Sequence, residues 1–381
     1  MESSSSFLNV VKAKKRSDPK KRERAGSLDD DKKKTSPFDA LDRFEREYFH
    51  LPLQSFARHV PGMRTLMTSF GASCTGEGLV CGFALLCWAI SVNACICGIW
   101  LVPVVEVLNG LIKWQFGRPR PGWNDPRVEI RSTSHEYSFP SSHAMLSWSL
   151  STFFANYWWE NGSTSVFLFN VPLPICLLYG MATCVAISRV FDGAHYPHDI
   201  VVGGLLGRQV GLLHFTVVLP YFQLRALEMS TLHVVVSGLC MAAFMLLCTK
   251  ICYSIAVQRF GNPPKKWCLL AKVKNDDLQP HFVPLFDYVG MCGVFAGLSV
   301  TVPVCDAQHP GLVLPTSIAS GGFRLVVGLT ILISAWFAVR GVEKSMATST
   351  WLRLCLRFCR YAQVPPIILM VVPPCFEALG V

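Results

Sequence analysis

The chain has 381 residues, 51% of them apolar and only 16% charged, with a mean hydropathy of +0.37 and a formal net charge of +10. Soluble domains carry roughly a quarter of their residues as charged side chains, so this balance excludes a soluble enzyme, a disordered chain, collagen and a small disulfide scaffold, and indicates a bilayer. A nucleic-acid partner is not expected, because residues 1–64 hold 15 Lys and Arg against 10 Asp and Glu, and half of the excess charge therefore sits in a low-complexity head.

In chain order, residues 1–36 carry the serines Ser3 to Ser6 and the charged blocks Lys12 to Lys15, Lys20 to Arg24 and Asp29 to Lys34. Such a segment cannot bury a core and is expected to be a disordered basic head. It has no apolar region of a signal peptide, and its acidic residues argue against a transit sequence. Residues 37–70 interleave Phe38, Leu41, Phe44, Tyr48, Phe49 and Leu51 with charges. That pattern fits an amphipathic segment on the membrane surface or a juxtamembrane linker. Gly78 to Val105 is free of charge, and the apolar run continues past Glu106 to Ile112. One helix needs about 20 residues to cross a bilayer, so the stretch divides into two expected spans, roughly 72–91 and 94–113.

Further spans are expected at 143–159, 165–188, 198–220, 230–256, 284–305 and 323–342, with a Pro-broken candidate at 361–379. The fold class is therefore an all-α polytopic bundle of about eight or nine spans, with a core at 71–222 and additional transmembrane helices at 223–381. Most of the sixteen cysteines lie inside apolar runs and read as small apolar side chains. None shows C-x-x-C spacing with histidines behind it, so no metal site is expected.

Two polar stretches interrupt this order, Trp114 to Ser142 and Phe260 to His281. The second carries Lys265, Lys266, Lys272 and Lys274 beside apolar spans, as a cytosolic loop does. Around the first, ionisable residues gather at span ends. Lys113, Arg118 and Arg120 close one span, His143 opens the next, Arg189 closes another, and His195 and Asp199 precede the one after. Any one of them alone reads as a snorkelling anchor. Together they are the set that phosphoryl transfer needs. Cations hold the non-bridging oxygens and neutralise the transition state. One histidine attacks phosphorus, the other protonates the leaving oxygen, and a carboxylate fixes the tautomer of the attacking ring. No metal or other cofactor enters such a scheme. His195 and Asp199 are four residues apart and share a helix face, and Pro197 between them fits only a first turn.

Three segments repeat a known pattern in order. Lys113 to Pro121 fits K-x6-R-P, Pro140-Ser141-Ser142-His143 stands where P-S-G-H is usual, and Ser188-Arg189 with His195 and Asp199 fits S-R-x5-H-x3-D. In these motifs the chain resembles the type 2 phosphatidic acid phosphatase superfamily, which also includes vanadium haloperoxidases, glucose-6-phosphatase and the sphingosine-1-phosphate phosphatases. The resemblance implies that His195 is the nucleophile that becomes a phosphohistidine, that Asp199 orients it, and that His143 is the acid for the leaving group. It further implies that Lys113, Arg120 and Arg189 bind the phosphate, with Ser141 and backbone N–H groups at a helix start adding hydrogen bonds. Ser142 replaces the usual glycine and would either add a contact or narrow the pocket. Arg118 would either touch substrate or stand as a solvated neighbour.

The implied substrate is a lipid phosphate monoester, phosphatidic acid, sphingosine-1-phosphate or a similar lipid, with the bilayer as the second partner and no cofactor. A polyprenyl (di)phosphate, a soluble sugar phosphate and a non-enzymatic relative remain alternatives. The span layout resembles the sphingosine-1-phosphate phosphatases, and the endoplasmic reticulum or another endomembrane is the expected location. Orientation is in tension. A basic head favours a cytosolic N-terminus, and two spans then return the first motif to the cytosolic face, whereas most family members carry the site on the lumenal or outer face.

Overall fold

A computed structural model describes residues 38–90, 92–131, 133–161, 167–168, 171–220, 230–273, 277–308, 318–346 and 349–378. The basic head expected at 1–36 lies outside the described residues. The chain divides into two compact units, 1–40 and 41–381, and the site belongs to the second.

The described residues are almost entirely helical, apart from a two-residue hairpin pairing Phe167–Leu168 with Val171–Pro172. Helix α1, Asp39–Glu45, passes through the wide turn Arg46–His50 into α2, Leu51–His59, and α3 follows at Met63–Ser73. Thr75 caps the start of α4, Gly76–Leu85, by accepting from the Gly78 N–H at 3.3 Å. Helices α5, Val92–Ile99, and α6, Leu101–Phe116, carry the chain to the first motif, where Gly117 in the left-handed conformation ends α6. Next come α7, Ser142–Asn161; α8, Leu173–Phe191; and α9, Pro197–Leu213. The remaining long helices are α10, Thr231–Phe260; α11, Phe282–Gln308; α12, Ile318–Met346; and α13, Thr350–Ala362.

Among the described residues, seven helices are long and apolar enough to cross a membrane, or up to eight if one bent pair counts as a span. That pair corrects the expected single span at 72–91: Met63–Ser73 and Gly78–Trp88 meet at 70°. The last span is also longer than the sequence pattern indicates, running Thr350–Phe376. Helix α7 is twenty residues long. It is absent from the apolar set because it carries Ser147, Ser149, Ser151 and Thr152, all buried. Its neighbours α6, α8 and α9 cover it, so its polar residues meet protein instead of lipid.

Two clusters form the core. One gathers Phe83, Trp88, Val105, Met145, Phe153 and Leu298. The other lies nearer the site, around Trp114, Trp123, Tyr137 and Tyr288. The packing that positions the site is that of α9 on α7. Gly203, Gly207 and Gly211 recur every fourth residue, and a Cβ at any of them would collide with the carbonyl oxygens of Ser141, Met145 and Ser149 respectively. Small residues at this spacing let two helix backbones touch. The fifteen cysteines whose side chains the structure describes are free thiols.

Candidate active site

The three motifs converge at one end of the bundle, where α6 ends, α7 begins, and α8 turns into α9. The second and third motifs are joined directly, because the Ser141 N–H donates to the Asp199 carbonyl at 3.1 Å. Ser141 also caps its helix, its hydroxyl accepting from the Ala144 N–H at 3.4 Å. The turn between α8 and α9 needs Gly193, whose φ of +66° and proximity to the Glu129 carbonyl leave no room for a side chain.

Lys113 is buried in the last turn of α6, and its ammonium donates to Glu136 Oε2 and, at 3.3 Å, to Ser142 Oγ. The serine that replaces the usual glycine therefore adds a contact to a phosphate-binding candidate. Arg120 donates from Nε to the Glu136 carbonyl at 2.7 Å and from Nη1 to the Ala194 carbonyl at 3.3 Å, and its Nη2 lies 3.9 Å from Glu136 Oε2. Arg189 is held by Asp192 at 2.9 Å, and its buried Nε has no partner among the described residues. His143, on the first turn of α7, is partly accessible and lies within electrostatic reach of Arg189, His195, Lys113 and Arg120.

His195 is buried in the α8–α9 turn, with its N–H donating to the Arg189 carbonyl at 3.3 Å. Burial pushes its imidazole down to about 3, Arg120 and Lys113 push the same way, and Asp199 opposes them. The ring is therefore neutral at physiological pH, as a nucleophile must be. Its Nδ1 stands 3.8 Å from Asp199 Oδ2, beyond hydrogen-bond distance. Asp199 Oδ2 instead accepts from the Tyr196 N–H at 3.0 Å and from the Ser138 hydroxyl, and its Oδ1 lies 3.1 Å from His198 Nε2. In this geometry Asp199 braces the start of α9 and acts on His195 through its charge.

Arg118 is not a solvated neighbour. It is buried, donates to Asp42 Oδ1 at 2.5 Å and to His198, and lies between the rings of Phe139 and Tyr196 at 5.8 and 5.7 Å. Glu136, from the connection 117–141, lies between Lys113 and Arg120. Burial alone would lift its carboxyl, but Lys113 and Arg120 hold it below the usual range, so it is charged. Tyr288 from α11 donates to its other oxygen at 3.3 Å. Within the cradle one carboxylate thus occupies the cations that a phosphate would use.

Asp42, Glu45 and His198 are the three described side chains grouped closely enough to hold a metal ion. Asp42 is engaged by Arg118, and Glu45 by His198 at 2.6 Å, so the donor set is already satisfied within the protein.

Residues 82–223 match a family model described as the PAP2 superfamily. Over these residues the chain is similar to the PAP2 superfamily. The chain is 31% identical over 125 residues to decaprenylphosphoryl-5-phosphoribose phosphatase from two Mycobacterium tuberculosis strains, CDC 1551 / Oshkosh and ATCC 25618 / H37Rv. The match takes in 30% of this chain and 58% of each relative, so it spans little more than half of their length. No solved structure matches the chain. The PAP2 stretch contains Lys113, Arg120, Ser141, Ser142, His143, Arg189, His195 and Asp199.

Proposed function

We propose that the protein is an integral membrane phosphatase that hydrolyses a lipid phosphate monoester in two displacements at phosphorus. Lys113, Arg120 and Arg189 bind the non-bridging oxygens and stabilise the charge that grows in the transition state. A nitrogen of neutral His195 attacks phosphorus as the ester P–O bond breaks, and His143 gives a proton to the departing alkoxide, which leaves as the alcohol. Water then attacks the phosphohistidine, His143 takes its proton, the P–N bond breaks and inorganic phosphate leaves. Every attacking and stabilising group is a side chain of this chain, so the reaction is expected to run without metal.

The observation that carries the reading is the convergence of three cations and two histidines from three separate helix ends, beside apolar helices that can hold hydrocarbon tails. A polyprenyl-linked phosphate is the second reading, favoured by the name of the mycobacterial relatives. Its substrate would present the same phosphate ester on a longer chain.

The test is phosphate release by purified full-length protein in EDTA from phosphatidic acid, sphingosine-1-phosphate, a polyprenyl phosphate and a sugar phosphate. Release from a lipid, inhibition by vanadate and a loss of at least about a thousandfold in His195→Ala are expected. Full activity in that variant would remove His195 from its role. Cleavage of the sugar phosphate alone would exclude the lipid.

A further inference from the structure

The turn that carries His195 is held from outside the motifs by the segment preceding the first span. His50, fully buried, places Nε2 2.9 Å from the His195 carbonyl oxygen, while its Nδ1 is 3.3 Å from the Glu45 carbonyl. Burial keeps His50 below its ordinary range, so it has a single ring proton, and the shorter contact to His195 is the one that takes it. Gln54 is also buried and fully bonded. Its Nε2 donates to the Phe191 and Glu129 carbonyls, each at 2.9 Å, and its Oε1 accepts from the Glu129 N–H at 2.9 Å. Glu45 accepts from the His198 N–H at 3.1 Å and from its ring at 2.6 Å. Arg46 donates to the Tyr196 hydroxyl at 3.2 Å.

These contacts fall on Phe191, His195, Tyr196 and His198, the start, middle and end of the turn. Buried polar contacts of this kind are directional and costly to leave unmade, so they specify one backbone path. The His195 ring makes no hydrogen bond to Asp199, so its placement rests on its backbone, gripped at N–H by the Arg189 carbonyl and at C=O by His50.

We propose that residues 42–54 form a strap that fixes the catalytic turn 191–199, with His50 and Gln54 as positioning residues that set where His195 meets phosphorus. The inference builds on the phosphatase reading. A displacement of about 1 Å at a reacting atom costs on the order of a hundredfold in rate.

The experiment uses full-length protein in detergent with phosphatidic acid in mixed micelles, comparing wild type, His50→Ala, His50→Gln, Gln54→Ala and His195→Ala. His50→Ala is expected to lower kcat about ten- to a hundredfold with KM within about twofold, and His50→Gln, whose amide can donate to the same carbonyl, to recover most of the loss. Amide hydrogen exchange read by mass spectrometry is expected to rise in 191–199 in His50→Ala and Gln54→Ala and to stay unchanged in α10 and α11. Unaltered exchange in 191–199, or wild-type kcat per folded molecule in His50→Ala beside an inactive His195→Ala, overturns the strap. If His50→Ala does not fold, Gln54→Ala decides on the same readouts. Failure of the phosphatase reading is distinct: wild type releases no phosphate, or His195→Ala releases as much, while the exchange result still decides the strap.

Discussion

The contact between Glu136 and Lys113 sets the chemistry of the cradle at the scale of single residues. A carboxylate among Lys113 and Arg120 keeps two buried cations compensated while no phosphate is bound, and a dianion must compete with it for them. Glu136→Gln removes the competing charge and is expected to tighten competitive inhibition by vanadate roughly tenfold, equivalent to about 1.4 kcal/mol. An unchanged or weaker inhibition constant would show that Glu136 does not compete. The cations and histidines were legible in the sequence because helix ends concentrate the few charges that an apolar chain keeps. Glu136 was not, because it lies in an irregular loop 23 residues from Lys113, and no periodicity relates them. Nor was the fate of Arg118, whose partner Asp42 is 76 residues away on the opposite side of two apolar spans.

At the scale of helices, the apolar pattern located the spans and misjudged two details for physical reasons. Hydropathy counts residues and does not see the break at Thr75 that turns α3 against α4, where a capping side chain starts a new helix. It also cannot tell a lipid-facing helix from α7, which tolerates five buried hydroxyl residues because protein surrounds it. The glycine stripe of α9 was in plain view in the sequence, but its partner was not. Gly207→Ala places a methyl group against the Met145 carbonyl, where only backbone movement can relieve it. Overpacking of this kind costs about 1–3 kcal/mol. Thermal unfolding in detergent is expected to show a lowered midpoint with activity reduced in step, since the same contact aligns Ser141 with Asp199. An unshifted midpoint would contradict the close packing of α7 and α9.

Across the whole molecule, positive charge collects at one end. The site end holds Arg127 and Arg131 in the connection 117–141, Lys265, Lys266 and Lys272 in 261–273, and Arg43, Arg46, Arg58 and Arg64 in the segment 41–64. In the sequence, 162–172 and 309–317 have no Lys or Arg, and 219–230 has only Arg225. The connection 261–281 belongs to the site end because Trp267 bonds Asn124 at 3.2 Å and His281 bonds Tyr137 at 3.2 Å. Segment 41–59 belongs there too, since it grips the catalytic turn. By the positive-inside rule this distribution predicts a site on the cytosolic face, against the lumenal or outer placement of most members of the family that the motifs resemble. An epitope inserted after Asn275 is expected to be reached by antibody when only the plasma membrane is permeabilised, and one after Ser163 only after full permeabilisation. The reverse pattern would put the site on the far face.

The most direct test of the central claim is to quench the protein during turnover of a lipid phosphate and locate the phosphoryl group by mass spectrometry under conditions that preserve phosphohistidine. The account predicts a phosphoryl group on His195, absent in His195→Ala and accumulating when His143 is replaced with an alcohol of low pKa as leaving group. A phosphoryl group on any other side chain, or turnover with none formed, would contradict it.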